Sequence, residues 1–188
     1  MKRNKHEIDM CNGPLLGKVL RFSLPLILSG ILQLLYNAAD VAVVGRFAGK
    51  ESLAAVGSTG SLTNLMINLF IGLSIGASVV VARHIGAHDF KRAHDAVHTA
   101  AAISLVSGAA TLVIGVAFSK AFLTLMDTPS DVIDLSALYM RIYFLGMPAL
   151  MVYNFGSAIL RAMGDTMRPL YFLTISGIIN VLLNLVFV

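Results

Sequence analysis

Residues 20–44 read LRFSLPLILSGILQLLYNAADVAVV. As a helix this stretch is long enough to cross the hydrocarbon of a bilayer, which asks for about 20 mostly apolar residues. It also carries Gln33, Asn37 and Asp40 toward its far end, side chains that are costly to place in lipid. A secretory signal would have an apolar core of only about 7–15 residues. The longer, polar-studded run predicts an uncleaved first helix.

Working outward, further apolar runs follow at 53–82, 96–119, 136–160 and 169–188, with polar gaps at 45–52, 83–95, 120–135 and 161–168. The 188 residues are 57% hydrophobic and 13% charged, where a soluble domain averages about 25% charged. A water-soluble fold of this length could not bury so large an apolar share. The expected fold class is all-α and integral to the membrane, with about five transmembrane helices. Residues 1–19 are expected to be a cytoplasmic segment and 20–188 the membrane part.

The net charge of +4 does not point to nucleic acid, because of where the charges sit. Lys2, Arg3, Lys5, Lys18 and Arg21 lie in or next to the N-terminal segment, Arg83, Lys91 and Arg92 in the second gap, and Arg161 and Arg168 in the fourth. With the N-terminus in the cytoplasm, inside segments hold ten of the fourteen Lys and Arg residues. The gap before the fourth run is acidic instead, with Asp127, Asp131 and Asp134. This is the positive-inside pattern of a multi-pass protein in the cell's inner (plasma) membrane. The basic groups have no interleaved aromatics, which argues against a nucleic-acid partner. Cys11 is alone, so no intrachain disulfide can form.

Local chemistry supports the boundaries. Pro129 and Ser130 break the chain before the fourth run, Gly164 suits a helix end, Asp165 can cap the next helix, and Pro169 is tolerated near a helix start. Pro25 and Pro148 lie inside apolar runs and predict kinks. Gly57, Gly60, Gly72, Gly76, Gly108 and Gly115 are expected to let helices approach closely.

Asp40 is the most informative residue. A carboxylate at mid-membrane costs about 2.5–3.5 kcal/mol on insertion scales, and less toward the interface. Ser29, Gln33 and Asn37 precede it at steps of three or four and share its helix face. That face predicts contact with protein or a water-filled cavity; the alternative is a helix that simply ends at the headgroups. Ser176, Asn180 and Asn184 form a second stripe at i, i+4, i+8. They could join helices through hydrogen bonds of about 0.6–2 kcal/mol each, or coordinate a cation or substrate, and spacing alone does not choose. For Ser61, Asn64, Asn68 and Gly72, and for Asn154 and Ser157, hydrogen bonding between helices is the preferred reading.

His84, His88, His94 and His98 include pairs at the four-residue spacing of metal ligands, but they sit in or beside a basic gap with no nearby cysteine. They are expected to be solvated, with no metal. There is no G-x-x-x-x-G-K-[ST] loop and no serine, cysteine or metal constellation suited to catalysis. An enzyme is not expected. The intramembrane acid suggests ion coupling instead.

Three segments carry a family resemblance. Leu24-Pro25 leads through Tyr36-Asn37-Ala38-Ala39-Asp40 to Val44-Gly45-Arg46; Leu53-Ala54-Ala55-Val56-Gly57 opens the second run; and Leu160-Arg161-Ala162-Met163-Gly164-Asp165-Thr166 is followed by Arg168-Pro169. In this order they resemble the MATE family (multidrug and toxic compound extrusion; MOP superfamily) across essentially the whole chain. The resemblance implies two six-helix lobes around a central cavity. This chain would be an incomplete N-lobe, missing its sixth helix and the C-terminal lobe. It further implies an antiporter in a lipid bilayer that exports drugs, organic cations or other amphipathic xenobiotics, with a proton or sodium as coupling ion and no other cofactor. Asp40, Asn180 and Asn184 take the cation-coupling positions. Well-described members have an aspartate where Asn184 stands, and the lost charge leans the expectation toward protons. Gln33, Tyr36, Asn37, Asn64, Asn68 and Asn154 are expected to line the cavity. The abrupt end at Val188, without a polar tail, likewise reads as a fragment. Two other readings stay open: a non-transporting fragment or split-lobe assembly partner, and a lipid-linked precursor flippase. The flippase is weakened by helix interiors with almost no basic residues for a pyrophosphate.

Overall fold

The computed structural model describes Ile8, residues 14–47 and residues 49–187. Lys2, Arg3, Lys5, Cys11 and Val188 lie outside the described residues. The described residues form six helices in the order α1 (Leu15–Phe47), α2 (Gly49–Gly86), α3 (Phe90–Leu125), α4 (Ile133–Leu145), α5 (Met147–Ala162) and α6 (Met167–Phe187). Each of α1, α2 and α3 is long and apolar enough to cross a membrane, and α4 with α5 makes a further candidate if the bent pair is one span. The 21 residues of α6 rise about 31 Å at 1.5 Å per residue, the thickness of a hydrocarbon core.

Helices α1 to α3 outrun their apolar stretches. The 38 residues of α2 reach about 57 Å, more than the roughly 40–45 Å of a bilayer with its headgroups. Hydropathy marks where lipid begins, whereas helical hydrogen bonding continues into the polar zone. The expected gap at 83–95 therefore shrinks to a tight turn after Gly86, where His88 takes φ 56°. The Asp89 side chain closes that turn by accepting from the Arg92 amide at 3.1 Å.

The expected single helix over 136–160 is instead two, bent by 48° between Leu145 and Met147. Pro148 has no N–H to donate to the Phe144 carbonyl, so the ladder breaks there and restarts with the proline in the first turn of α5. Pro25 has a milder effect. Helix α1 runs through it unbroken, and the Ser29 hydroxyl donates to the Pro25 carbonyl at 2.8 Å.

Helices α2 and α3 and the α4–α5 pair pack into one bundle, while α1 and α6 lie against each other and meet the bundle through α2 and α5. Leu62, Leu123, Met140, Phe144, Met147 and Met151 fill the core around the bend. Val81, Ala100, Phe155 and Ile159 form a second cluster between α2, α3 and α5. Lipid is as apolar as leucine, so association here depends on close contact and hydrogen bonds rather than on hiding from water. A Cβ at Gly108 would lie 2.7 Å from Pro148 Cα, and one at Gly115 would fall inside the Phe144 ring. Helix α3 thus presses two glycines onto either side of the bend. The same expectation fails for Gly57, Gly60, Gly72 and Gly76, where an added Cβ meets nothing within 4 Å. A small residue is visible in sequence, but the face that meets a neighbour is not.

Polar contacts tie the ends. Ser58 and Ser136 share a 2.9 Å hydrogen bond between α2 and α4. Arg141 Nε donates to the buried Ser119 hydroxyl at 3.2 Å. Lys120 Nζ stands 2.7 Å from Asp134 and holds that carboxyl below its ordinary range. Both partners are largely exposed, so this pair adds little stability. Between α5 and α6, Gly164 takes φ +86°. Buried Asp165 then accepts the amides of Met167 and Arg168 at 3.1 Å each, with Arg168 Nε 3.1 Å from its other oxygen. The Ile8 amide donates to the Gly164 carbonyl at 3.2 Å.

Substitutions at these glycines should separate sharply when helicity is followed through unfolding in detergent. Gly115→Ala overpacks the bend and should cost about 1–3 kcal/mol. Gly164→Ala should cost about 1–2 kcal/mol for its left-handed backbone alone, and its Cβ would also crowd the Ile8 carbonyl at 2.6 Å. Gly72→Ala, in open space, should be neutral or gain up to about 1 kcal/mol from helix propensity. Equal stability of Gly115→Ala and the parent would contradict the packing described.

Candidate functional site

The site forms where α1 and α6 run side by side. Tyr36 meets Thr174 and Gly177, and farther along Asp40 meets Asn184, so contacts advance in the same direction on both helices. The Asn184 Nδ2 donates to Asp40 Oδ1. About one turn earlier on α1, the Tyr36 ring rests on Gly177, where an added Cβ would fall among the ring atoms. The Tyr36 hydroxyl donates to the Thr174 carbonyl at 3.4 Å. Helical period explains the grouping. Tyr36 and Asp40 are four residues apart, and Gly177, Asn180 and Asn184 follow one another at steps of three and four.

Asn180 is half-buried, and its Oδ1 is buried without a hydrogen-bond partner among the described residues. A buried, unsatisfied acceptor costs about 1–3 kcal/mol. An ionised Asp40 is acceptor-only, while each amide offers one acceptor oxygen and two donor hydrogens. Carboxylate and amide oxygens make a donor set suited to a proton or a hard cation rather than to a soft metal. Tyr139 of α4, partly exposed, lies within electrostatic range of Asp40. Its ring stacks on Tyr143 with centroids 6.2 Å apart.

The other expected residues are placed differently. Gln33 and Asn37 are exposed on α1. Asn64 and Asn68 are exposed on α2, and Asn68 Nδ2 donates to the Asn64 carbonyl at 2.8 Å within its own helix. Ser61 and Gly72 are exposed as well, so the reading of this stripe as a seam between these helices is corrected. A polar stripe in an apolar helix shows that something other than lipid faces it, without showing what. Asn154 is half-buried on α5 with Nδ2 buried and unpartnered among the described residues, beside buried Ser157. Ser176 is exposed, so the stripe on α6 narrows to its two asparagines. His94 and His98 are exposed, with Nε2 atoms 3.1 Å apart. Among the described residues no cluster of three or more His, Cys, Asp or Glu is placed to hold a metal. Gly177 and Thr174 were not expected. The available signal was a small residue one turn before Asn180, inside an otherwise bulky helix.

Comparison with known proteins sets this geometry in a family. The family model described as MatE matches residues 25–186, which contain every contact of the site. The probable multidrug resistance protein YoeA of Bacillus subtilis (strain 168) is 36% identical over 162 residues, covering 86% of this chain and 35% of that protein. The FAD transporter of Shewanella oneidensis is 27% identical, covering 96% of this chain and 40% of its own length. Among solved structures, an outward-facing multidrug resistance MATE family transporter of the MOP superfamily is 28% identical with a TM-score of 0.88, covering 100% of this chain and 41% of the other. An inward-facing one, also 28% identical, gives 0.74, with 89% and 38% covered. The chain therefore spans 35% to 41% of the length of these relatives. With the family match running through both helices of the Asp40–Asn184 contact and nearly to the end of α6, this chain belongs to the MatE family of multi-pass membrane proteins.

Proposed function

We propose that this chain is part of the N-lobe of a cation-coupled exporter of drugs and other amphipathic organic cations. It works with further helices, a sixth in its own lobe and a C-terminal lobe, that complete a central cavity. It sits in the plasma membrane with its N-terminus in the cytoplasm. The observation that carries the reading is the hydrogen bond from Asn184 to Asp40, an acid inside an apolar helix held by a neutral amide on a second helix.

Elementary chemistry supplies the coupling step. Ionised Asp40 accepts from Asn184; protonated, it becomes a donor and can satisfy an amide oxygen. Loading and unloading a proton therefore swaps the hydrogen bonds that join α1 to α6. A membrane potential biases the step by up to about 2.3 kcal/mol per charge per 100 mV if the charge crosses the whole field. With a neutral residue at 184, the site has one carboxylate, which favours a proton over sodium as the coupling ion. Exposed Gln33, Asn37, Asn64 and Asn68 are costly against lipid and suit a wet cavity wall. One relative is named for FAD, whereas another is named for multidrug resistance. The scarcity of basic side chains in the apolar middles of these helices suits cationic cargo better than a diphosphate.

The test uses the complete transporter carrying this chain's residues in inverted vesicles. Asp40→Asn should reduce efflux of a fluorescent organic cation driven by a pH gradient by about tenfold or more, the factor that about 1.4 kcal/mol represents. Asn180→Ala should give a smaller loss. Unchanged gradient-driven efflux in Asp40→Asn would remove Asp40 from the coupling role. A gradient of sodium at constant pH that drives the parent would replace the proton with sodium.

A further inference from the structure

We infer that Gly177 is a positioning residue. Its missing side chain admits the Tyr36 ring and so sets the separation of α1 and α6 at which Asn184 reaches Asp40. This rests on the reading of Asp40 and Asn184 as the working pair, and adds what brings them together.

The geometry is that of a knob in a hole. The place a Cβ would occupy at Gly177 is taken by atoms of the Tyr36 ring. Gly177 is buried although Ser176, Ile178 and Ile179 beside it are exposed, so α1 presses onto this point of α6. The axial offsets differ by about 4.5 Å, which the reach of the tyrosine takes up. Tyr36 and Asp40 are separated by about 6 Å of rise, and Gly177 and Asn184 by about 10.5 Å. Side chains on a helix lean toward its N-terminus. The long tyrosine reaches back to Gly177 and to the Thr174 carbonyl, while the short aspartate stays near its own level and meets Asn184. The hydroxyl contact is long at 3.4 Å, so the ring, not the hydroxyl, makes the fit.

The bundle adds little to fix this separation. Among the described residues, helix α1 has only Pro25 and Ser29 buried, and α6 meets the bundle lightly, through α5. A methyl at position 177 would leave the seated ring no room, so the helices would part and Asp40 would be drawn away from Asn184.

The complete transporter carrying this chain's residues, labelled with ¹⁵N at asparagine and held in lipid nanodiscs, provides the measurement. The side-chain amide signal of Asn184 is assigned by its loss in Asn184→Ala, and Asp40→Ala gives its position without the acceptor. Gly177→Ala should move the Asn184 signal to the position seen in Asp40→Ala. Tyr36→Phe should leave it in place. Tyr36→Ala combined with Gly177→Ala should restore it, because the knob and the filled hole are removed together. An Asn184 signal unmoved by Gly177→Ala overturns the inference. If Gly177→Ala alone yields no helical protein, the double variant decides: a parent-like signal supports the inference and a displaced one overturns it. A parent signal insensitive to Asp40→Ala would instead mean that Asp40 and Asn184 are not bonded, which fails the reading of the site independently of Gly177.

Discussion

A carboxylate inside a membrane has to be met by protein or water, and the meeting of Asp40 with Asn184 is the interaction around which α1 and α6 are arranged. Without a partner, the end of α1 would carry a costly charge among Val41, Val43 and Val44. The amide supplies a donor without adding a second charge, so the pair does not lock as a buried salt bridge would. It remains responsive to whether the acid is ionised. The contact below it, Tyr36 on Gly177, is steric and insensitive to charge. The seam thus joins a polar contact made by a titratable group with a steric one made by none.

The rest of the chain behaves as the support for that seam. Helices α2 to α5 bury the large residues, with Phe144, Phe155, Met140, Met147 and Met151 nearly inaccessible. The bend at Pro148 is gripped by Gly108 and Gly115, so a broken hydrogen-bond ladder becomes a well-packed corner. Helices α1 and α6 show many exposed apolar side chains, such as Leu34, Leu35, Ile175 and Leu182, as do the outer faces of α2 and α3. These are surfaces for lipid or for further helices. A pair of helices with few contacts to a firm bundle is the part of the molecule that can move at least cost. The acid sits on that pair.

Much of this was legible in the residues. The apolar runs define membrane helices, because lipid imposes a length rule on any sequence that crosses it. Asp40 stood out because a charge inside such a run is costly, as did Asn180 and Asn184 by their spacing. Gly164 and Asp165 announced the α5–α6 turn, since backbone geometry there is a local matter. Pro148 marked its bend for the same local cause.

Partnership was not legible. Six glycines looked alike in sequence, yet only Gly108 and Gly115 meet a neighbour, and Gly177, the one beneath the acid, carries no local mark that tells which helix it meets. Asn68 and Asn184 have the same side chain in similar apolar settings, but one bonds to its own helix and the other to α1. Period and hydropathy are properties of a single helix, so the sequence by itself determined the helices, their membrane setting and the presence of an intramembrane acid. Which face meets which, at what height and how closely, depends on how separate helices cross, and only the tertiary structure decided that Asp40 faces Asn184 over a tyrosine seated on a glycine.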